Sequence, residues 1–533
     1  MVGTTTRQRS AVWSRSTKIL WGLCLSLLLS LRLGTAYSID LAPLYAHARS
    51  VRTSKGHDAA IPLYRQLLTD HPEDLTASTR IAVAPVDRHT AIVQDHELSA
   101  VDRLRYLLRD YKSRAVAELL GIQDDTHPQY YATAPIYVGP LMAGSEPSLP
   151  LSDPPTTLEC CVALFLLGVA LPRETLLRIW TPEDIDLCVS LGVLLPCVVD
   201  SSLLVPYVSI MPIDVSHERT IHVATDWHPR VLSTTSIENE GDAVMYIGPD
   251  SLALVQHWFQ CPALSQQPRS LLDVCTGSGV QALAALALQK ASRAVCLDLN
   301  TRALRFTLFN AQLNGFEDRI QLVHGDLSAG IGRLWTRENY HSDDEQPLLP
   351  LLRSISSSYA MLSANPPFLP VPPSILKERH GLFSSGGPSG EAILASTVEL
   401  AAQVLQEEGY LAVVSEFFWN QDDRADLLDR IRRWWPGARG ILFTNEFPLD
   451  PHTYAQRRAD DPEEYKQWMK HLEDMDILTS SPGFLFLKQQ EASTDLLTHH
   501  AVPKSNWGSV WTPSNPAAVG FTSKILSETL LND

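Results

Sequence analysis

The chain has 533 residues, 45% hydrophobic and 19% charged, enough apolar mass to bury cores in more than one domain. Its formal net charge of −17 excludes a broad cationic face for non-specific nucleic-acid binding, though not a local basic groove. Its eight cysteines form no C-x-x-C pair and no Cys/His spacing typical of zinc, so buried free thiols are expected and no metal site.

In chain order, Arg7, Arg9, Arg15 and Lys18 precede a 13-residue apolar run from Ile19 to Leu31, and Gly34-Thr35-Ala36 follows with small residues. Residues 1–36 therefore read as a signal peptide or presequence cleaved after Ala36. The alternatives are a signal anchor and a wrongly assigned start. The run is short of the roughly 20 apolar residues of a membrane span, so no stable span is expected after its removal. The expected route is secretory. Tyr37 just after the site resembles the aromatic that follows the signal in algae with secondary plastids, which makes such an organelle a possible destination.

Residues 37–95 read as a helical hairpin. Ala60, Tyr64, Leu67 and Pro72 have the spacing of one tetratricopeptide unit, but no second copy follows. A hairpin packed on its neighbour is favoured over a peptide-binding array. Residues 96–235 read as a mainly helical domain. Leu104, Leu107, Leu108 and Tyr111 share one helix face, a proline-rich crossing follows, and Thr181 before Pro182 caps a further helix. "SSLLVPYVSIMPI" and "TIHVATDW" then read as strands, giving a winged-helix-like order. Such a module binds nucleic acid or simply packs, and this one is not basic.

From residue 240 to 490 apolar strand-like runs alternate with helical stretches. That pattern predicts an α/β domain with a parallel-dominated central sheet and helices on both faces. Ligands of such sheets bind beyond the carboxyl ends of the strands. Residues 491–533 read as a polar, loosely ordered tail.

The strand ends carry the chemistry. "LLDVCTGSGVQALAAL" closes the first strand at Asp273 and bends at Gly277 and Gly279. Asp298 ends the second strand, 25 residues on, and Asp326 the third. Singly, each acid is as well explained by a helix cap or a turn; together, beside a glycine bend, they point to a nucleoside ligand. Asp273 just before the loop would oppose a pyrophosphate and suit an ammonium group, so S-adenosylmethionine matches better than a nicotinamide dinucleotide. The fourth strand ends in "SANPPFLPVPP". The Asn365 side-chain oxygen and the Pro366 carbonyl can accept both hydrogens of one NH2 group, and Phe368 offers a flat face. The alternative is a rigid proline turn.

With these motifs on the page, residues 265–490 resemble class I S-adenosylmethionine-dependent methyltransferases of the small-domain N-methyltransferase type, among them the release-factor glutamine methyltransferases and the base-amino methyltransferases of DNA and RNA. The resemblance implies a Rossmann-like domain that holds S-adenosylmethionine through Asp273, Thr276, Gly277 and Gly279, then Asp298 with Leu299, Asp326 with Leu327, and Asn365. It implies an acceptor site of Asn365, Pro366, Pro367 and Phe368. "SSGGPSGEAI" at 384–393 is similar to the Gly-Gly-x-x-Gly stretch of the glutamine enzymes. The span from about 97 to 490 also looks like a branch of microbial methyltransferases with a helical, winged-helix-like N-terminal domain.

Three features depart from that pattern. Cys275 stands where the family has its first glycine; 38 residues separate Asp326 from Asn365 and include the acidic "TRENYHSDDEQP"; and a presequence is unusual on an enzyme that needs a cytosolic methyl donor. The expected activity is methyl transfer to a planar amide or amine nitrogen, first a protein glutamine, as in a translation factor. The second expectation is an exocyclic amine of RNA or DNA, and the third a non-catalytic assembly protein on a decayed methyltransferase fold.

Overall fold

A computed structural model describes residues 98–120, 151–197, 201–216, 218–227, 243–261, 264, 269–336, 344–376, 383–420, 425–459, 461–490, 496–502 and 516–531. The presequence and the tetratricopeptide-like hairpin lie outside the described residues. Among the described residues no helix is long and apolar enough to cross a membrane.

The N-terminal region opens with α1 (Leu98–Leu107) and α2 (Ser113–Leu119). Leu104, Leu107, Leu108 and Tyr111 are all buried, as their spacing predicts. Next come α3 (Thr157–Cys161, running into a π-helical turn to Leu166), β1 (Leu171–Pro172), α4 (Arg173–Leu176) and α5 (Pro182–Ser190). A hairpin of β2 (Leu194–Pro196) and β3 (Leu203–Pro206) follows, and β3 lies between β1 and β2. Helix, strand, two helices and hairpin make the winged-helix-like order, but its hairpin is Leu194–Pro196 with Leu203–Pro206, while "TIHVATDW", expected as one of its strands, pairs in a separate sheet. Thr181 caps α5 in a capping box with Asp184, and Asp184 also takes a two-pronged bond from Arg103 on α1.

A second hairpin, β4 (Ser209–Asp214) with β5 (Thr220–Thr225), fastens this region to the rest. Its partner is α8 (Thr301–Asn314). Asn310 donates to the Ala224 carbonyl at 2.9 Å and accepts from the Ala224 N–H at 2.8 Å. Asn314 does the same to His222, at 2.8 and 2.9 Å. Four helical residues rise about 6 Å and two strand residues about 6.6 Å, so two asparagines one turn apart read alternate residues of a strand edge. The buried ion pair Arg302–Asp226, at 2.5 Å, closes the same seam.

The large domain starts at α6 (Pro249–Leu254). It continues through β6 (Arg269–Val274), α7 (Val280–Ala287), β7 (Ala291–Asp298), α8, β8 (Ile320–Asp326), β9 (Ile331–Trp335), β10 (Gln346–Pro347), α9 (Leu348–Ile355) and β11 (Tyr359–Ala364). The C-terminal part holds α10 (Ala392–Val404), β12 (Leu405–Trp419), α11 (Ala425–Trp434), β13 (Arg439–Asn445), α12 (Pro451–Arg458), α13 (Pro462–Asp474), β14 (Thr479–Lys488), β15 (Leu497–Val502) and α14 (Pro516–Leu526). These strands form one ten-stranded sheet in the order β10-β9-β8-β7-β6-β11-β12-β14-β13-β15. Strands β8, β7, β6, β11 and β12 are parallel neighbours; β14 runs against β12 and β13. Apolar clusters cover both faces, as the continuous apolar strands require. The chain direction across the sheet reverses between β6 and β11, which opens a crevice at their carboxyl ends.

The segment 491–533, read as a polar tail, is a correction. It adds β15 to the sheet edge beside β13 and sends α14 back onto the core, where Leu526 and Leu530 are fully buried. A few well-spaced apolar anchors outweigh a polar average. The acidic insertion also has structure at its ends, since β10 pairs with β9.

Candidate active site

The crevice holds a cleft of about 280 Å³. Of the residues singled out in the sequence, Cys275, Thr276, Gly277, Asp298, Leu299, Asp326, Leu327, Asn365 and Pro367 line it. Asp273, Gly279, Pro366 and Phe368 are outside that lining, although Phe368 directly follows Pro367 and is partly exposed.

Asp273 is 1% exposed. Its carboxylate accepts from the Thr276 hydroxyl and from the Ser363 hydroxyl, both at 2.6 Å, and Ser363 is its register partner on β11. Burial pushes this carboxyl up to about 6, against the opposing pull of those two hydroxyls. The loop after it turns on positive φ at Cys275 (55°), Gly277 (56°) and Gly279 (80°). A Cβ on Gly277 would meet nothing within 4 Å, so the loop presents bare backbone to the cleft.

Asp298 accepts from Gly277 N–H at 2.8 Å on one oxygen and from Asn300 N–H at 2.9 Å on the other. The carboxylate keeps acceptor capacity beyond these N–H groups, of the kind a ribose hydroxyl needs. Burial raises this carboxyl, and the N–H groups oppose the rise. Asp326 ties down its own turn through Ser328 N–H and Ala329 N–H, at 2.8 and 2.9 Å. Leu299, 46% exposed, and the partly buried Leu327 give that end apolar surface for a planar base. Bare loop backbone, a diol-accepting carboxylate and apolar surface together fit S-adenosylmethionine.

At the other end, Asn365 is partly exposed and Pro366 is buried. Asn365 Nδ2 donates to Asp250 Oδ2 at 2.6 Å. The Gly-Gly-Pro-Ser-Gly loop backs the ledge: Leu369 N–H donates to Ser384 O at 2.8 Å, and Gly386 N–H returns to Leu369 O at 3.0 Å. A Cβ on Gly390 would sit 2.5 Å from the Phe368 carbonyl, so only glycine admits this approach. The ring of Phe368 packs beside Leu369, Phe418 and Tyr454 and stays partly exposed.

Two elements of the site were missed from sequence. Met245, Tyr246, Ile247 and Ser251, leading into α6, wall the cleft. The available signal was a helix start in "GPDS", with proline at the first turn and an acid after it. The pair α12 and α13 packs Tyr454, Trp468 and Leu472 over the segment following the ledge. Glu416 at the end of β12 holds α12 there through Arg458, at 2.5 Å, and the Tyr454 hydroxyl, at 2.9 Å.

Residues 257–333 match the family described as "Ribosomal protein L11 methyltransferase (PrmA)". A release factor glutamine methyltransferase of Mycobacterium leprae is 28% identical over 32% of this chain and 57% of its own length. A ribosomal protein L11 methyltransferase of Sorangium cellulosum is 34% identical over 26% of this chain and 44% of its own. A ribosomal protein uL3 glutamine methyltransferase of Burkholderia pseudomallei is 32% identical over 27% and 43%. The chain spans about half the length of these relatives. With the sheet order above, they make the large domain a class I S-adenosylmethionine-dependent methyltransferase domain related to the release-factor glutamine methyltransferases.

Proposed function

We propose that this protein transfers a methyl group from S-adenosylmethionine to the side-chain amide nitrogen of a glutamine in a protein. The observation that carries the reading is that Asn365 and Pro367 line the same cleft as Gly277, Asp298 and Asp326. A nitrogen held at the ledge therefore faces a donor held at the strand ends. When bound, S-adenosylmethionine supplies an electrophilic methyl group. Asn365 Oδ1 and the Pro366 carbonyl accept the two hydrogens of the incoming NH2 group. That grip fixes the plane of a poor nucleophile and aims its delocalised lone pair, and orientation of this kind contributes several kcal/mol to a barrier. The exposed part of the Phe368 ring supports the flat amide. No side chain has to remove a proton beforehand, because the nitrogen sheds one to water after methylation.

The protein acceptor is favoured over a nucleic acid by one observation. Over residues 151–197 of the winged-helix-like region six acidic residues stand against two arginines, and α5 opens with Glu183, the wrong charge balance for a phosphate backbone. The names of the relatives, which concern release factors and ribosomal proteins, point the same way.

The test is incubation of the full chain with tritiated S-adenosylmethionine and separate protein and RNA fractions of a cell extract. Label in protein that digestion recovers as N-methylglutamine supports the reading. Label confined to RNA, or none with the donor shown to bind, overturns it.

A further inference from the structure

An asparagine amide has the same shape either way round, so geometry alone does not decide whether Asn365 shows the cleft an oxygen or an NH2 group. The decision matters, because only the oxygen accepts from an acceptor amine. Asp250 supplies an asymmetry. It is 4% exposed, in the first turn of α6, 115 positions from Asn365. Its Oδ1 is turned toward the helix start, 2.3 Å from where a Cβ on Gly248 would lie, and the N–H groups of Asp250 and Ser251 stabilise the carboxylate. Its Oδ2 accepts from Asn365 Nδ2 at 2.6 Å. A carboxylate offers acceptors alone, so the NH2 of Asn365 must turn to it and the oxygen must turn away.

We propose that Asp250 is a positioning residue: its carboxylate selects the amide orientation in which Asn365 presents Oδ1 to the methyl acceptor. The proposal deepens the functional reading above and rests on it. Burial pushes the Asp250 carboxyl up, and the Asn365 amide pulls it back down, the direction expected of a charge-assisted bond. Satisfying first-turn N–H groups alone would be served nearly as well by the oxygen of an asparagine at this position.

That equivalence gives the test. Asp250→Asn keeps the shape and an oxygen for the first-turn N–H groups but places an NH2 group against Asn365, which must then flip. In the full chain labelled with 15N on asparagine, the Asn365 side-chain signal is assigned by its loss in Asn365→Ala. We expect a slowly exchanging, downfield Asn365 proton in the wild type, and at least ~10-fold faster exchange in Asp250→Asn. Turnover, read with tritiated S-adenosylmethionine and the protein fraction, falls ~100-fold, the scale of losing one aligned hydrogen-bonding group. Affinity for S-adenosylhomocysteine stays within ~3-fold. The swapped pair, Asp250→Asn with Asn365→Asp, again has an NH2 group facing a carboxylate and an oxygen facing the cleft. Its turnover recovers to within ~10-fold of wild type. Unchanged Asn365 exchange in Asp250→Asn overturns the proposal, as does a swapped pair no better than the worse single variant. The exchange measurement needs no acceptor, so failure of the wild type to methylate protein overturns only the functional reading.

Discussion

At one end of the cleft, β7 and β8 deliver carboxylates already engaged by their own turns: Asp298 by Gly277 and Asn300, Asp326 by Ser328 and Ala329. At the other end, β11 delivers no charge into the cleft. It ends in a kinked run of carbonyls and one amide, with Asn365 tied to Asp250. The first end is suited to a ligand carrying hydroxyls and a cation, which bare backbone and fixed charge can hold in the ground state. The second is suited to a neutral NH2 group that gains most when aimed. Substitutions at the first should therefore cost affinity, and substitutions at the second should cost rate.

The widest separation is expected from Asn365→Ala. Turnover should fall 100- to 1000-fold, about 3–4 kcal/mol, with donor affinity within ~3-fold. Single-turnover methyl transfer and calorimetry with S-adenosylhomocysteine measure the two quantities. A matched loss in both would erase the distinction between the ends.

Much of this division was legible in the sequence. Largely apolar runs such as "SLLDVC" and "YAMLSA" announce buried parallel strands, and the residues that follow them line the cleft. What stayed hidden depends on the third dimension. Asp250 reaches Asn365 across 115 positions, and no local pattern links a first-turn helix residue to a proline ledge. Asn310 and Asn314 each read a strand edge, and nothing in the helix sequence marks them for it. The strand β15, "LTHHAV", buries only Leu497 and Val502 at its ends, so its apolar content is too thin to stand out from polar flanks.

Asp273 sits at the seam of the two ends, on β6 but bonded to Ser363 of β11. Its carboxyl titrates at about 6 in the folded protein, against the model-peptide value of 3.8. The folded state thus binds the extra proton. This contribution is full below about pH 3.8 and is lost as pH rises through 6, about 3 kcal/mol by pH 8. Asp273→Asn should remove that loss, leaving a flatter stability profile between pH 4 and 7 in urea denaturation followed by tryptophan fluorescence. A profile as steep as the wild type's would show that the carboxylate is comfortably ionised at the seam.

Asp298→Ala should do the reverse of Asn365→Ala. Losing a charged acceptor weakens donor binding by about 1.5–3 kcal/mol, roughly 10- to 100-fold in Kd, with turnover at saturating donor nearly kept. Calorimetry with S-adenosylhomocysteine reads the first and initial rates read the second. Retained affinity with lost turnover would move Asp298 to the rate-determining side of the comparison.

The smallest expected effect tests how far the donor end is made of backbone. Cys275 holds φ at 55°, a conformation that costs a non-glycine residue about 1–2 kcal/mol. Glycine would relieve that strain but lose more freedom on folding, by about 0.5–1 kcal/mol, and would give up the packing of Cys275 against the apolar face beneath it. Burial raises the thiol well above its ordinary range, so no thiolate chemistry is forfeited. Cys275→Gly should therefore stabilise the protein by about 0.5 kcal/mol in thermal denaturation, with donor affinity within ~3-fold. Cys275 lines the cleft, so a destabilised variant with weakened donor binding would show that its side chain contributes to holding the donor, and the donor end would no longer be a site whose loop acts through backbone alone.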